Sequence, residues 1–93
     1  MQELSIVVDN KVGLHARPAA LFVQSALKFK SDINISCHDT KEDNLRTANA
    51  KSILGILTLG VFQGMEIHIK AEGDDEEEAI KTLGELVKSN FGE

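Results

Sequence analysis

The spacing of apolar residues in this chain switches between two and about 3.6, and the order of those switches decides what it can fold into. Leu4, Ile6 and Val8 alternate with Ser5 and Val7, which is the period of a strand entering at about Gln2 and stopping near Asp9-Asn10. Helical spacing follows. Ala16, Ala19, Ala20, Val23, Ala26 and Leu27 fit a helix over about 16–29, with Pro18 in the first turn, where its missing N–H breaks no bond. Ile33 and Ile35 then alternate with Asn34 and Ser36 towards Cys37, a second strand. The polar stretch 38–44 reads as a long hairpin loop and 45–48 as a weak third strand. Residues 51–59 form a short helix, and Gly60 and Gly64 punctuate what comes next. Met65, Ile67 and Ile69 alternate with Glu66, His68 and Lys70 in a fourth strand. After a turn at Gly73, Asp74 or Asp75 caps a last helix. Glu76, Glu77 and Glu78 in its first turn suit the positive end of the helix dipole, and Ala79, Ile80, Leu83, Leu86 and Val87 form its buried stripe.

The order is therefore βαββαβα, which predicts an α+β open-faced sandwich. One face of a four-stranded antiparallel sheet is covered by three helices, and the other meets water. Ser5, Asn34, Ser36, Glu66, His68 and Lys70 are expected on the open face. Ninety-three residues suit one domain, 1–93, with a modest core. A formal charge of −5 with ten scattered Lys and Arg residues argues against binding nucleic acid or an anionic membrane, both of which need a basic patch. The single cysteine, Cys37, excludes an intramolecular disulfide and a Cys-only metal site. Met1-Gln2-Glu3-Leu4 lacks the start of a signal peptide, and the apolar stretch 53–62 falls short of the ~20 residues needed to cross a bilayer. The expected location is cytoplasmic, and nothing in the sequence predicts an oligomer, so a monomer is expected.

Chemistry concentrates at Gly13-Leu14-His15-Ala16-Arg17-Pro18-Ala19-Ala20. His15 falls at the N-cap of the first helix or one residue before it. The N–H groups of Ala16 and Arg17 have no intrahelical partner there, and with the helix dipole they make an anion site. Arg17 adds a permanent charge and a planar fork suited to phosphate oxygens. A neutral imidazole is a nucleophile, and an imidazole beside a charge clamp and backbone donors is the equipment phosphoryl transfer needs. The competing reading is a histidine that caps a helix, with Arg17 a solvated surface residue.

These residues resemble the active-site motif of the HPr family, the histidine-containing phosphocarriers of the bacterial phosphoenolpyruvate:sugar phosphotransferase system. A second stretch, Asn49-Ala50-Lys51-Ser52-Ile53-Leu54-Gly55 followed by Leu59-Gly60 and Gly64, is similar to the family's regulatory-serine segment. The resemblance implies that His15 takes phosphate on Nδ1 from enzyme I and that Arg17 steadies it. It implies donation to the A domains of sugar permeases, and Ser52 as the target of HPr kinase/phosphorylase, with a catabolite-control transcription factor as a further partner. It implies a carrier whose catalysis is shared with its partners, with no cofactor. One departure is visible: between His38 and Arg46 the chain is about six residues longer than the common family hairpin, an addition that costs little stability. A specialised nitrogen-linked or dihydroxyacetone-kinase relay is an alternative, as is a regulatory module acting only through phospho-Ser52. The presence of His15 with Arg17 argues against the latter.

Serine at a helix start is most often an N-cap, and a phosphate at Ser52 would be tolerated by the dipole, so its effect would fall on partners. Ile53, Leu54, Ile56, Leu57 and Leu59 are too many for one buried stripe. Ile56 and Leu59 read as core, whereas Leu54 and Leu57 are expected to form an exposed docking patch. Cys37-His38-Asp39 is not read as a metal site, because alternation on a strand points neighbours apart.

Overall fold

A computed structural model describes residues 1–39 and 44–92 of the chain. Its elements are β1 (Gln2–Val7), α1 (Ala16–Ala26), β2 (Asp32–Asp39), β3 (Asn44–Asn49), α2 (Ile53–Thr58), β4 (Glu66–Glu72) and α3 (Glu76–Lys88), closed by a 3-10 turn at Asn90–Gly92. The strands form one sheet in the order β1-β4-β2-β3, with every neighbour antiparallel. The βαββαβα order and the open-faced α+β sandwich are as the periodicity predicts.

Period-two alternation on the two central strands makes the core. Ile33, Ile35 and Cys37 of β2 and Ile67, Ile69 and Ala71 of β4 are buried against Phe22 and Ala26 of α1, Ile56 of α2, and Leu83 and Val87 of α3. Each buried isoleucine contributes about 1.5–3 kcal/mol by leaving water. Gly84 lets α3 pack tightly on β1: a Cβ there would stand 2.7 Å from the Leu4 Cδ2. The alternate residues face outward in rows, such as Ser5, His68, Ser36 and Thr47 across all four strands. The Ser5 hydroxyl sits 2.5 Å from the His68 Nδ1. Lys70 Nζ lies 3.5 Å from the Glu3 carboxylate.

Four expectations change. α1 ends at Ala26 rather than near Phe29, because Lys28 and Phe29 turn their N–H groups to the carbonyls three residues back. Leu27 is consequently exposed instead of joining the apolar stripe. The described ends of the expected loop at 38–44 are strand: His38 pairs with Leu45 and Asp39 with Asn44, and 40–43 lie outside the described residues. Polar side chains did not prevent pairing there, since the ladder bonds are made by backbone. Ser36 occupies the open face but is covered, with its hydroxyl 3.5 Å from the His68 carbonyl.

The last change concerns Asp75. It stands at the N-cap of α3, yet its side chain makes no cap bond. It accepts instead from the Ser31 hydroxyl and from the N–H groups of Lys30 at 2.8 Å and Ser31 at 2.9 Å, tying the entry of β2 to α3. The Ser31 hydroxyl, followed by the Lys30 amide, holds this carboxyl below its ordinary value of 3.8; burial opposes them more weakly. A carboxyl depressed in the folded state stabilises above its unfolded pKa, and that stability is lost as pH falls through the lower, folded value. Melting temperature should therefore fall as pH drops from about 5 towards 2, and less steeply in Asp75→Asn. Part of the slope persists, because Glu76 is also depressed by its hydrogen bond to the Met1 amino group, at 2.8 Å. Equal slopes in thermal melts of the two proteins would contradict the tie.

Candidate functional site

β1 delivers the chain to the site through a sequence of clamps. Val8 is fully buried and pinned on both sides, donating to the Met65 carbonyl at 2.9 Å and accepting from the Gly64 N–H at 2.7 Å. A turn follows over 10–13, in which the Gly13 N–H donates to the Asn10 carbonyl at 3.2 Å. The Asn10 side chain donates back to the Gly13 carbonyl at 2.9 Å. Gly13 has φ +63, and an added Cβ would stand 2.4 Å from both the Phe62 Cα and the Val61 carbonyl oxygen, far inside van der Waals contact. Leu14 is buried, and its N–H donates to Val61 O at 3.0 Å.

His15 emerges from this grip exposed, at the N-cap of α1 with φ −116 and ψ 160. Its ring makes no cap bond. The first helical bond runs from the Ala19 N–H to the His15 carbonyl at 3.3 Å. The N–H groups of Ala16 and Arg17 precede it, Pro18 contributes none, and the two donors, without a partner among the described residues, stand at the positive end of the helix. Arg17 is exposed beside them. Ala16 has φ +27, a left-handed value that crowds its Cβ and costs about 1–3 kcal/mol. An accessible imidazole, two undonated amides and a guanidinium within three consecutive residues can receive a tetrahedral oxyanion.

α2 packs on α1 and runs the other way. Lys51 Nζ reaches the Phe29 carbonyl at 2.8 Å beyond the C-terminal end of α1, while Val61 accepts from Leu14 before its N-terminal end. Ser52 is therefore at the opposite end of the helix pair from His15. It is the N-cap of α2, with Oγ accepting from the Gly55 N–H at 3.1 Å. Leu54 is 72% exposed and Leu57 37%, with Ile53 at 41% beside them, whereas Ile56 and Leu59 are buried. Val12 and Phe62, also exposed, flank Gly13 in sequence and in space, respectively. Cys37 is buried and His38 exposed, so their side chains diverge, and no group of three His, Cys, Asp or Glu residues could hold a metal ion among the described residues.

The motif alone locates His15, Ala16 and Arg17. It misses Asn10, the Val61 carbonyl and the left-handed Ala16, which hold that segment in place. An asparagine three residues before a glycine is a turn signal, but the bond from Leu14 to Val61 is made by a distant segment.

The comparisons with known proteins agree with one another. The PTS-HPr family model, described as the PTS HPr component phosphorylation site, matches residues 2–89. The phosphocarrier protein HPr of Xylella fastidiosa (strain 9a5c) is 42% identical over 93 residues, covering 100% of this chain and 98% of that one. The crystal structure of HPr-C-His from Thermoanaerobacter tengcongensis is 56% identical with a TM-score of 0.88, covering 100% of this chain and 98% of that one. A phosphocarrier HPr of Bacillus anthracis str. Ames is 44% identical with a TM-score of 0.81, over 92% of this chain and 95% of the other.

Proposed function

The chain belongs to the HPr phosphocarrier family of the phosphotransferase system, and from that membership and the geometry of its site we propose that it relays a phosphoryl group through His15. The observation that carries the reading is the exposed His15 at the N-cap of α1, followed directly by the two N–H groups that no intrahelical carbonyl accepts and by the exposed Arg17. Enzyme I, charged from phosphoenolpyruvate, is the donor. The neutral Nδ1 of His15 attacks phosphorus, the bond to the donor breaks, and its electron pair leaves with the donor. Negative charge on the transferred oxygens is met by the Ala16 and Arg17 amides and the Arg17 guanidinium. The reverse sequence hands the group to the A domain of a sugar permease. The open site suits this role, since each partner in turn excludes water from it.

The test is a charge-and-chase. Phosphoenolpyruvate and enzyme I should place one acid-labile phosphate on the chain, and adding a permease A domain should remove it. A chain that takes no phosphate from an active enzyme I, or that keeps it in the presence of an active acceptor, contradicts the reading.

Leu54 and Leu57 would form the apolar surface on which these partners dock. Truncating an exposed anchor costs binding but little stability. Leu54→Ala is expected to raise KM for enzyme I about tenfold, equivalent to roughly 1.4 kcal/mol, with kcat and the melting temperature unchanged. An unaltered KM would remove Leu54 from the interface.

Ser52 would be the regulatory site, modified by HPr kinase/phosphorylase and read by a catabolite-control transcription factor. Its distance from His15 supports an effect on docking rather than on chemistry, because Ser52 borders the exposed leucines. Aspartate caps helices about as well as serine. Ser52→Asp should therefore keep stability within about 0.5 kcal/mol while raising KM for enzyme I, as measured by melts and steady-state transfer. A loss confined to kcat would place the effect on the chemistry instead.

A further inference from the structure

Asn10 holds the segment before His15 in a way that neither the motif nor the helix accounts for. It is 3% exposed, and its Nδ2 donates to the Gly13 carbonyl at 2.9 Å, so the turn 10–13 is closed by a backbone bond and a side-chain bond together. Its Oδ1 is buried with no hydrogen-bond partner among the described residues. Turning the amide over would set that oxygen against the Gly13 carbonyl, acceptor against acceptor, so the orientation follows from the geometry. Unmatched buried acceptors are uncommon and unfavourable. Leucine would fill a similar space without one. What asparagine adds is the donor to Gly13.

The residues after Gly13 give that donor a purpose. Ala16 sits at φ +27, and a conformation of that kind persists only where its surroundings over-determine it. On the helical side the Ala19 N–H bond to the His15 carbonyl provides the hold. On the other side the hold is made by Asn10 on Gly13 and by Val61 on Leu14. We infer that Asn10 is a positioning residue for phosphoryl transfer, its carboxamide fixing the turn that brings the His15 ring and the Ala16 and Arg17 amides to one point. The inference rests on the phosphocarrier reading of His15. Asn10 touches no transferred atom, so its loss acts through geometry, where displacement by about 1 Å can cost on the order of a hundredfold in rate.

The experiment compares the full-length wild type with Asn10→Ala in transfer from enzyme I, resolving kcat from KM at a temperature where both proteins are folded. Asn10→Ala should lose roughly a hundredfold in kcat with KM held within about twofold. Asn10→Thr and Asn10→Val extend the test to the case where the alanine variant does not fold, since they share a shape and differ in one hydroxyl donor. The threonine protein should exceed the valine protein in kcat by about tenfold. Wild-type kcat in folded Asn10→Ala, a loss confined to KM, or equal kcat for the threonine and valine proteins would each overturn the inference. A wild-type chain that takes no phosphate from active enzyme I would instead overturn the phosphocarrier reading, and with it this one.

Discussion

Replacing His15 with alanine should remove all transfer of phosphate from phosphoenolpyruvate while leaving the fold as it was. The two halves of this result have separate causes. Transfer should be lost because the proposed accepting nitrogen is gone, and the remaining amides and Arg17 would bind charge without supplying an electron pair. The fold survives because the side chain is exposed and makes no cap bond, so alanine forfeits little. Melting should place the variant within about 0.5 kcal/mol of wild type, the usual range for surface positions. Intact mass after incubation with enzyme I should find no phosphate on it. A phosphorylated His15→Ala protein would move the site elsewhere.

Gly13→Ala should be the most destabilising single methyl group near the site. At φ +63 a Cβ costs about 1–2 kcal/mol. The added carbon also meets the Phe62 Cα and the Val61 carbonyl oxygen, both backbone atoms, so no side-chain rotation relieves it. Forcing that backbone apart adds about 1–3 kcal/mol. The sum, about 3 kcal/mol, is a large part of the stability of a small domain, and should lower the melting temperature by roughly 10–25 °C. Separation there also lengthens the Leu14 to Val61 bond, so the fraction still folded should transfer phosphate slowly. Gly64→Ala serves as the control, because its Cβ would meet nothing within 4 Å although φ is +90. It should suffer the conformational cost alone. Equal losses at the two glycines would show that contact with the 61–62 backbone contributes nothing.

Much of this was legible in the sequence because the relevant physics is local. Alternation along 33–37 and 65–69 needed no knowledge of the partner strand, and His15 before Pro18 announces a helix start with free donors. That some of Ile53, Leu54, Ile56, Leu57 and Leu59 face water also follows from counting apolar positions on a short helix, and Leu54 and Leu57 are among the exposed ones. What was not legible depends on residues far apart in the chain. Asp75 has the sequence context of a cap, yet Lys30 and Ser31, more than 40 residues away, offer it three donors and take its carboxylate. Asn10 closes a turn whose far side, Leu14, is bonded to Val61, 47 residues further on. The strand ends at His38 and Asp39 are polar, so no hydrophobic pattern marks them, and the expected lengthening of that hairpin falls partly on 40–43, outside the described residues. α1 ends early because its last N–H groups find carbonyls three residues back, a choice that Leu27 and Lys28 do not advertise.

The central claim is that His15 carries the phosphate, and the chain's three histidines make it directly measurable. The chain would be labelled with ¹⁵N, phosphorylated by enzyme I and phosphoenolpyruvate, and its imidazole nitrogens examined for coupling to phosphorus. Coupling at Nδ1 of His15, with the ring signals of His38 and His68 unmoved, is the expected result. Phosphorus coupled to His38 or His68, or a phosphate stable to acid on a hydroxyl, would contradict it.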